Sequence, residues 1–158
     1  MIRIEPVDPE SKPARALIAA ADAYMASLYP AESNHLDSPA VLKGPNALFL
    51  GCFCGSELVG CGAVKILEDD GRYGEVKRVF VVEKHRGRGY SRAIMDELER
   101  YLRSQGVAMA RLETGIHQPE ALGLYRRLGY AERGPFGPYR PDPLSLFMEK
   151  NLEIRPAL

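Results

Sequence analysis

The residues whose types and spacing best suit chemistry are Arg86-Gly87-Arg88-Gly89-Tyr90-Ser91. Two glycines let a backbone come close to a ligand, two arginines add positive charge, and small Ser91 stands in the first turn of what reads as a helix. Free N–H groups at a helix start, aided by the helix dipole and by Arg86 and Arg88, form a site for phosphate. The spacing excludes two familiar phosphate loops. A dinucleotide loop needs a third glycine three places after Gly89, where this chain has Arg92, and a Walker loop needs a Gly-Lys-Ser/Thr triplet that occurs nowhere.

Positioning such a loop takes a strand on one side and a helix on the other. Val79 to Val82 are all β-branched or aromatic, as in a strand buried on both faces, and from Tyr90 the apolar residues change to the helical spacing Ile94, Leu98, Leu102. A second informative stretch follows, Gln118-Pro119-Glu120-Ala121-Leu122-Gly123-Leu124-Tyr125-Arg126-Arg127-Leu128-Gly129-Tyr130. Pro119 fits a first helical turn, Ala121, Leu122, Tyr125 and Leu128 share one face, and Gly129 ends the helix.

Arg-x-x-Gly-x-Ser at 86 to 91 resembles the Gln/Arg-x-x-Gly-x-Gly/Ala pyrophosphate loop of the GNAT superfamily of N-acetyltransferases, with Ser91 in place of the usual small apolar residue. The second stretch resembles the Asn-x-x-Ala-x-x-Leu-Tyr-x-x-x-Gly-Phe/Tyr signature of the same superfamily, with Gln118 in the asparagine place. Two motifs in the right order, one strand apart, are more specific than either alone. The resemblance covers roughly residues 57 to 152 and implies acetyl-coenzyme A as cosubstrate. It places Arg86, Gly87, Arg88, Gly89, Tyr90 and Ser91 on the diphosphate and the backbone of Phe80, Val81 and Val82 along the pantetheine arm. Gln118 and Tyr125 stand beside the cofactor in the same reading.

Amide formation from a thioester needs an unprotonated amine, a polarised carbonyl and a proton for the departing thiolate. An alkyl amine, with a pKa near 10.4, arrives mostly charged at neutral pH, so a group must take its proton. The resemblance implies Glu75 for this, eleven residues before Arg86, where members with a glutamate base carry it. It makes Tyr125 the general acid beside the sulfur. A phenol of pKa about 10 stays protonated at neutral pH and can donate to a thiolate. The cysteines, Cys52, Cys54 and Cys61, have no histidine beside them in sequence, and the Cys-x-Cys pair lacks two further ligands at zinc spacing, so neither a covalent intermediate nor a metal site is expected. Tyr29 and His35 in the connection after the first helix, Arg78 on the central strand and Tyr139 in a proline-rich loop are candidates to touch the acceptor.

Twenty-one basic residues balance twenty-one acidic ones among 158, which gives no support for a nucleic-acid partner. No run of about 18 apolar residues occurs and the N-terminus has no long apolar region, so neither a membrane span nor a signal peptide is supported and a cytoplasmic location is the default expectation. The length suits one domain. In order, the chain reads as a strand at 2–4, a helix from Pro9 to Leu28, a short helix from Ser38 to Gly44, and a hairpin of strands at 47–54 and 57–67. The central strand, central helix and a fifth strand at 107–114 follow, then the helix after Pro119 and a last strand at 144–152. A connection through a helix makes the fifth strand parallel to the central one. The expected fold is α/β (α+β), a mixed, mostly antiparallel six- to seven-stranded sheet flanked by about four helices, with the GNAT-like acyl-CoA N-acyltransferase arrangement. The expected activity is acetyl transfer to the amine of a small molecule or amino acid. A protein N-terminal or lysine acetyltransferase and a non-catalytic acyl-CoA sensor remain open, and the resemblance allows a homodimer through the last strands.

Overall fold

A computed structural model describes residues 1–34 and 36–153. Strands β1 (Ile2–Pro6), β2 (Ala47–Cys54), β3 (Glu57–Glu68), β4 (Arg72–Val81), β5 (Met109–Gly115), β6 (Ala131–Arg133) and β7 (Ser145–Asn151) form one sheet in the order β1-β2-β3-β4-β5-β7-β6. Short turns make β2 to β4 an antiparallel meander, and β1 pairs antiparallel with β2 across the long connection at 7–46. The pairing of β4 with β5 is parallel, because helix α2 (Tyr90–Ser104) carries the chain back across the sheet before β5 begins.

Helix α2 buries Ile94, Met95, Leu98 and Leu102 on one sheet face. Helix α1 (Lys12–Leu28) packs Ala14, Leu17 and Ile18 with Phe49, Cys61 and Ala63 in a separate cluster, together with Leu42. Burying each Leu or Ile contributes about 1.5–3 kcal/mol, so the two layers hold the sheet from both sides. Helix α3 (Pro119–Arg127) completes the α-helices among the described residues. Of the four helices expected, the one after Ser38 is a 3-10 turn, Pro39–Lys43, because five residues between a proline start and Gly44-Pro45 are too few to reward α-helical hydrogen bonding. Helix α1 begins at Lys12 and not Pro9, since Asp8 first makes a turn, accepting from the Glu10 N–H at 2.9 Å and the Ser11 N–H at 3.0 Å. β6 has only three residues, too few to show an alternation, and exists by pairing with β7.

Two irregularities of β4 shape the middle of the sheet. Opposite the single residue Gly62 of β3 stand two residues of β4, Arg78 and Val79, and Arg78 has φ of 60°. This is a β-bulge, which bends the strand and strengthens its twist. On its other side β4 pairs with β5 only at Gly74–Ala110, Glu75–Arg111 and Val76–Leu112. Past that point the two strands part, leaving a cleft between them.

Candidate active site in the cleft between two strands

The cleft holds two adjoining cavities that share Tyr24, Val79, Phe80, Gln118 and Tyr125. The larger, about 680 Å³, runs along the loop from β4 into α2. Gly87 and Gly89 have φ of 79° and 80°, and a Cβ on either would meet nothing within 4 Å, so these glycines are needed for their backbone conformation and not for lack of space. With Gly89 as the N-cap of α2, the N–H groups from Gly87 to Arg92 donate to no backbone carbonyl among the described residues, and the first bond into the helix is Ala93 N–H to the Gly89 carbonyl at 3.1 Å. These are the unsatisfied donors of a helix start, and with the dipole they can hold an anion.

Arg86, expected to bring charge to a phosphate, turns back toward the strand. Its Nε donates to the Val81 carbonyl at 2.8 Å, and its guanidinium lies 4.9 Å from the Tyr24 ring centre and 5.5 Å from that of Phe80. It thereby closes the end of β4 while keeping its charge at the cavity wall. Tyr90 and Ser91 line the same cavity, and so does Arg92, a further cation at the start of α2. Arg88 is exposed beside His85 and does not line it. The Val82 N–H is donated to the Val59 carbonyl at 2.9 Å and so is not open to a pantetheine amide. Strand alternation turns the neighbouring Val81 N–H the other way, toward the cleft.

The smaller cavity, about 100 Å³, is lined by side chains from α1, β4, β5, α3 and the loop before β7. Glu75 is buried at 4 % exposure, and its Oε2 accepts from Lys77 Nζ at 3.2 Å and from the Tyr139 hydroxyl. Lys77 Nζ also donates to Tyr139 Oη at 3.0 Å and pairs with Asp37 at 3.6 Å, while Asp37 accepts from Lys65 at 3.1 Å. Glu75 Oε1 takes no hydrogen bond among the described residues. Burial, then the charge and hydrogen bond of Glu75, push the Tyr139 phenol far above its ordinary range.

Tyr125 lines both cavities and sits at 8 % exposure, with no hydrogen-bond partner for its hydroxyl among the described residues. Burial, followed by the charge of Glu113, pushes it up to about 12. Gln118 is the N-cap of α3 and accepts at Oε1 from the Tyr29 hydroxyl at 3.3 Å.

The acceptor candidates separate by position. Arg78 lines the small cavity, but its side chain is 4 % exposed and already engaged, donating to Asp22 and, at 3.1 and 2.5 Å, to the Asp37 carbonyl. Tyr29 lines neither cavity. Its hydroxyl accepts the His117 N–H at 3.0 Å, its ring stacks on His117 at 5.3 Å, and a Cβ on Gly115 would fall 1.9 Å from its oxygen, so it fastens the end of α1 to the turn before α3. His35 lies outside the described residues. Tyr139 reaches the cavity floor. Sequence reasoning missed Tyr24 and Asp37, which only tertiary contact brings to the cleft, and gave Lys77 no place in the site. The single clue was that Lys77, two residues after Glu75 on a strand, shares its face.

A model of the acetyltransferase (GNAT) family matches residues 14–130. The chain belongs to the GNAT acetyltransferase family. An IAA acetyltransferase of Azospirillum brasilense is 48% identical over 136 residues, 86% of this chain and 88% of that protein. A solved structure from Klebsiella pneumoniae, itself assigned only provisionally as an acyl-CoA N-acyltransferase, is 40% identical, with a TM-score of 0.80 over 96% of this chain and 98% of that one. The PaiA N-acetyltransferase of Thermoplasma acidophilum, solved with coenzyme A, shares the fold at a TM-score of 0.72 and 17% identity, over 96% and 99% of the two chains. This GNAT protein is accordingly an acyltransferase whose cosubstrate is an acyl-coenzyme A. Among its described residues no group of three or more His, Cys, Asp or Glu is placed to hold a metal ion, and no helix is long and apolar enough to cross a membrane.

Proposed function

We propose that the chain is a single-domain acetyl-coenzyme A-dependent N-acetyltransferase that acts on the primary amine of a small molecule by direct transfer in a ternary complex. One observation carries this reading: a single cleft has open main-chain amides at one end, a buried carboxylate at the other, and the Tyr125 phenol lining both cavities. The diphosphate lies on the amides from Gly87 to Arg92, the arm runs along β4 past Val81, and the thioester reaches Tyr125.

The acceptor nitrogen gives a proton to Glu75 Oε1 and attacks the thioester carbonyl. A C–N bond forms and the carbonyl oxygen takes the charge, which a β4 amide facing the cleft can stabilise by a few kcal/mol. The C–S bond then breaks as Tyr125 donates to the sulfur, while the nitrogen, positive in the intermediate, gives up its second surplus proton, which restores the phenol. A phenol held near 12 stays protonated through the neutral range. It lies above a thiol near 8.5, so its main contribution is a hydrogen bond to the developing thiolate, with the proton crossing as the intermediate collapses. No cysteine lines the cleft among the described residues, and burial pushes the Cys61 thiol up to about 12, which supports transfer without an acylated enzyme.

Lys77 and Arg78, the two cations of the acceptor cavity, are both engaged by groups of the chain itself. That favours an amine on a short apolar or aromatic arm over an amino acid, whose carboxylate would have to displace one of these partners. The test is a panel of amines, matched amino acids and, given the name of the Azospirillum relative, IAA, each incubated with acetyl-coenzyme A while free thiol is followed. Thiol release with small amines supports the reading. Silence across the panel together with tight coenzyme A binding points to a sensor, and accumulation of acetylated enzyme with ping-pong kinetics overturns direct transfer.

A further inference from the structure

We infer that Tyr139 is the positioning residue for the base, its hydroxyl fixing Oε2 of Glu75 so that Oε1 stays turned to the acceptor. This rests on the reading of Glu75 as base. The loop at 134–143 that carries Tyr139 is fastened at several points. Phe136, 3 % exposed, meets Tyr73 at 5.6 Å and 81° and Phe147 at 5.9 Å and 86°, both edge-on. The Gly137 N–H donates to Asp69 Oδ2 at 2.8 Å, and the Tyr139 N–H to the Phe136 carbonyl at 3.1 Å. From this anchor the Tyr139 ring packs on Phe147 at 5.5 Å and delivers its hydroxyl to Glu75.

Both donors to Glu75, Tyr139 and Lys77, fall on the same oxygen. Lys77 alone would hold the carboxylate poorly, because Asp37 draws the same ammonium the other way. The phenol adds a second donor to that oxygen, carried by a loop fastened independently of β4. A carboxylate pinned at one oxygen presents the other in a fixed direction, which is what proton abstraction from a bound amine requires.

Tyr139→Phe keeps every ring contact and removes only the hydroxyl. Among the described residues the charged and titratable groups facing this pair include Lys77 and Asp37 with Lys65 behind, Glu113 on β5, and Tyr73 with Asp69, Arg111 and Arg133 on its far side, and all are retained in the variant. A carboxylate that loses a hydrogen-bond donor keeps its proton to higher pH. The acidic limb of kcat/KM for the acceptor moves up by about one pH unit and kcat falls roughly tenfold, while KM for acetyl-coenzyme A does not change. Phe136→Leu, which loosens the anchor and leaves the phenol in place, moves both in the same direction by less. An unmoved limb and unchanged kcat in Tyr139→Phe, with Glu75→Gln inactive, overturn this inference and leave Glu75 as base. Full turnover in Glu75→Gln removes the base and this inference together.

Discussion

The two ends of the cleft are built from different materials. At the cosubstrate end the working groups are main-chain amides after Gly87 and Gly89, open to solvent and dependent on φ values near 80°. At the acceptor end they are side chains from β4, the loop before β5's neighbour β7, and the connection after α1, buried and bonded to one another. The first end needs a backbone shape, which a few residues can specify. The second needs a set of charges to be satisfied together, because a buried ion that loses one partner is left uncompensated.

Substitutions that separate the two ends test this contrast. Glu75→Gln removes the carboxylate and is expected to lower kcat by about 10²–10⁴ with coenzyme A affinity retained, as read by steady-state kinetics and calorimetry. A parallel loss of affinity would mean that the ends are not independent. Tyr125→Phe removes one donor to the developing charge and should lower kcat by about 10²-fold, again with the cosubstrate still bound.

The same tyrosine makes a pH prediction. Its folded value lies above its ordinary 10.0, at about 12, so its contribution to stability is whole below 10 and is lost as pH rises through 12. Tyr125→Phe should flatten part of the fall in melting temperature across that window, and an unchanged alkaline profile would show that the phenol is not desolvated. Gly89→Ala strikes the other end: a left-handed alanine costs about 1–2 kcal/mol, so KM for acetyl-coenzyme A should rise roughly five- to thirtyfold with kcat altered little. The smallest effect comes from salt. Raising ionic strength from about 0.05 to 0.5 M should raise KM for the cosubstrate a few-fold, since its loop is exposed, and leave KM for the acceptor nearly constant, since its charges are shielded from solvent.

The contrast also explains what could be read from the chain alone. Gly87 and Gly89 announced their loop because glycine at that spacing has few other uses beside a strand and a helix start, and Tyr125 followed from helical spacing and the Leu-Tyr-x-x-x-Gly-Tyr pattern. The order from β2 to β5 was legible from connection lengths, short turns for β2 to β4 and a helix before β5, whereas the pairing of β1 with β2 across the connection at 7–46 was not. Tyr24 was not, because its place at i, i+3 and i+4 with Ala20, Ala21 and Leu28 is equally that of a core residue. Lys77 and Asp37 stand forty residues apart, and nothing local says that they meet. Tyr29 shows the converse error, in which a polar residue in a variable-looking connection turns out to be held by His117 and Gln118. The bulge at Arg78 left no signal, since arginine is not a residue chosen for a positive φ.

A grip made of peptide groups does not care which side chains surround it. A lineage carrying this scaffold can therefore replace what lines the acceptor end, provided that charged partners change together, and inherit the thioester carrier unchanged. Donor use is conserved by geometry, while acceptor choice is left free to drift.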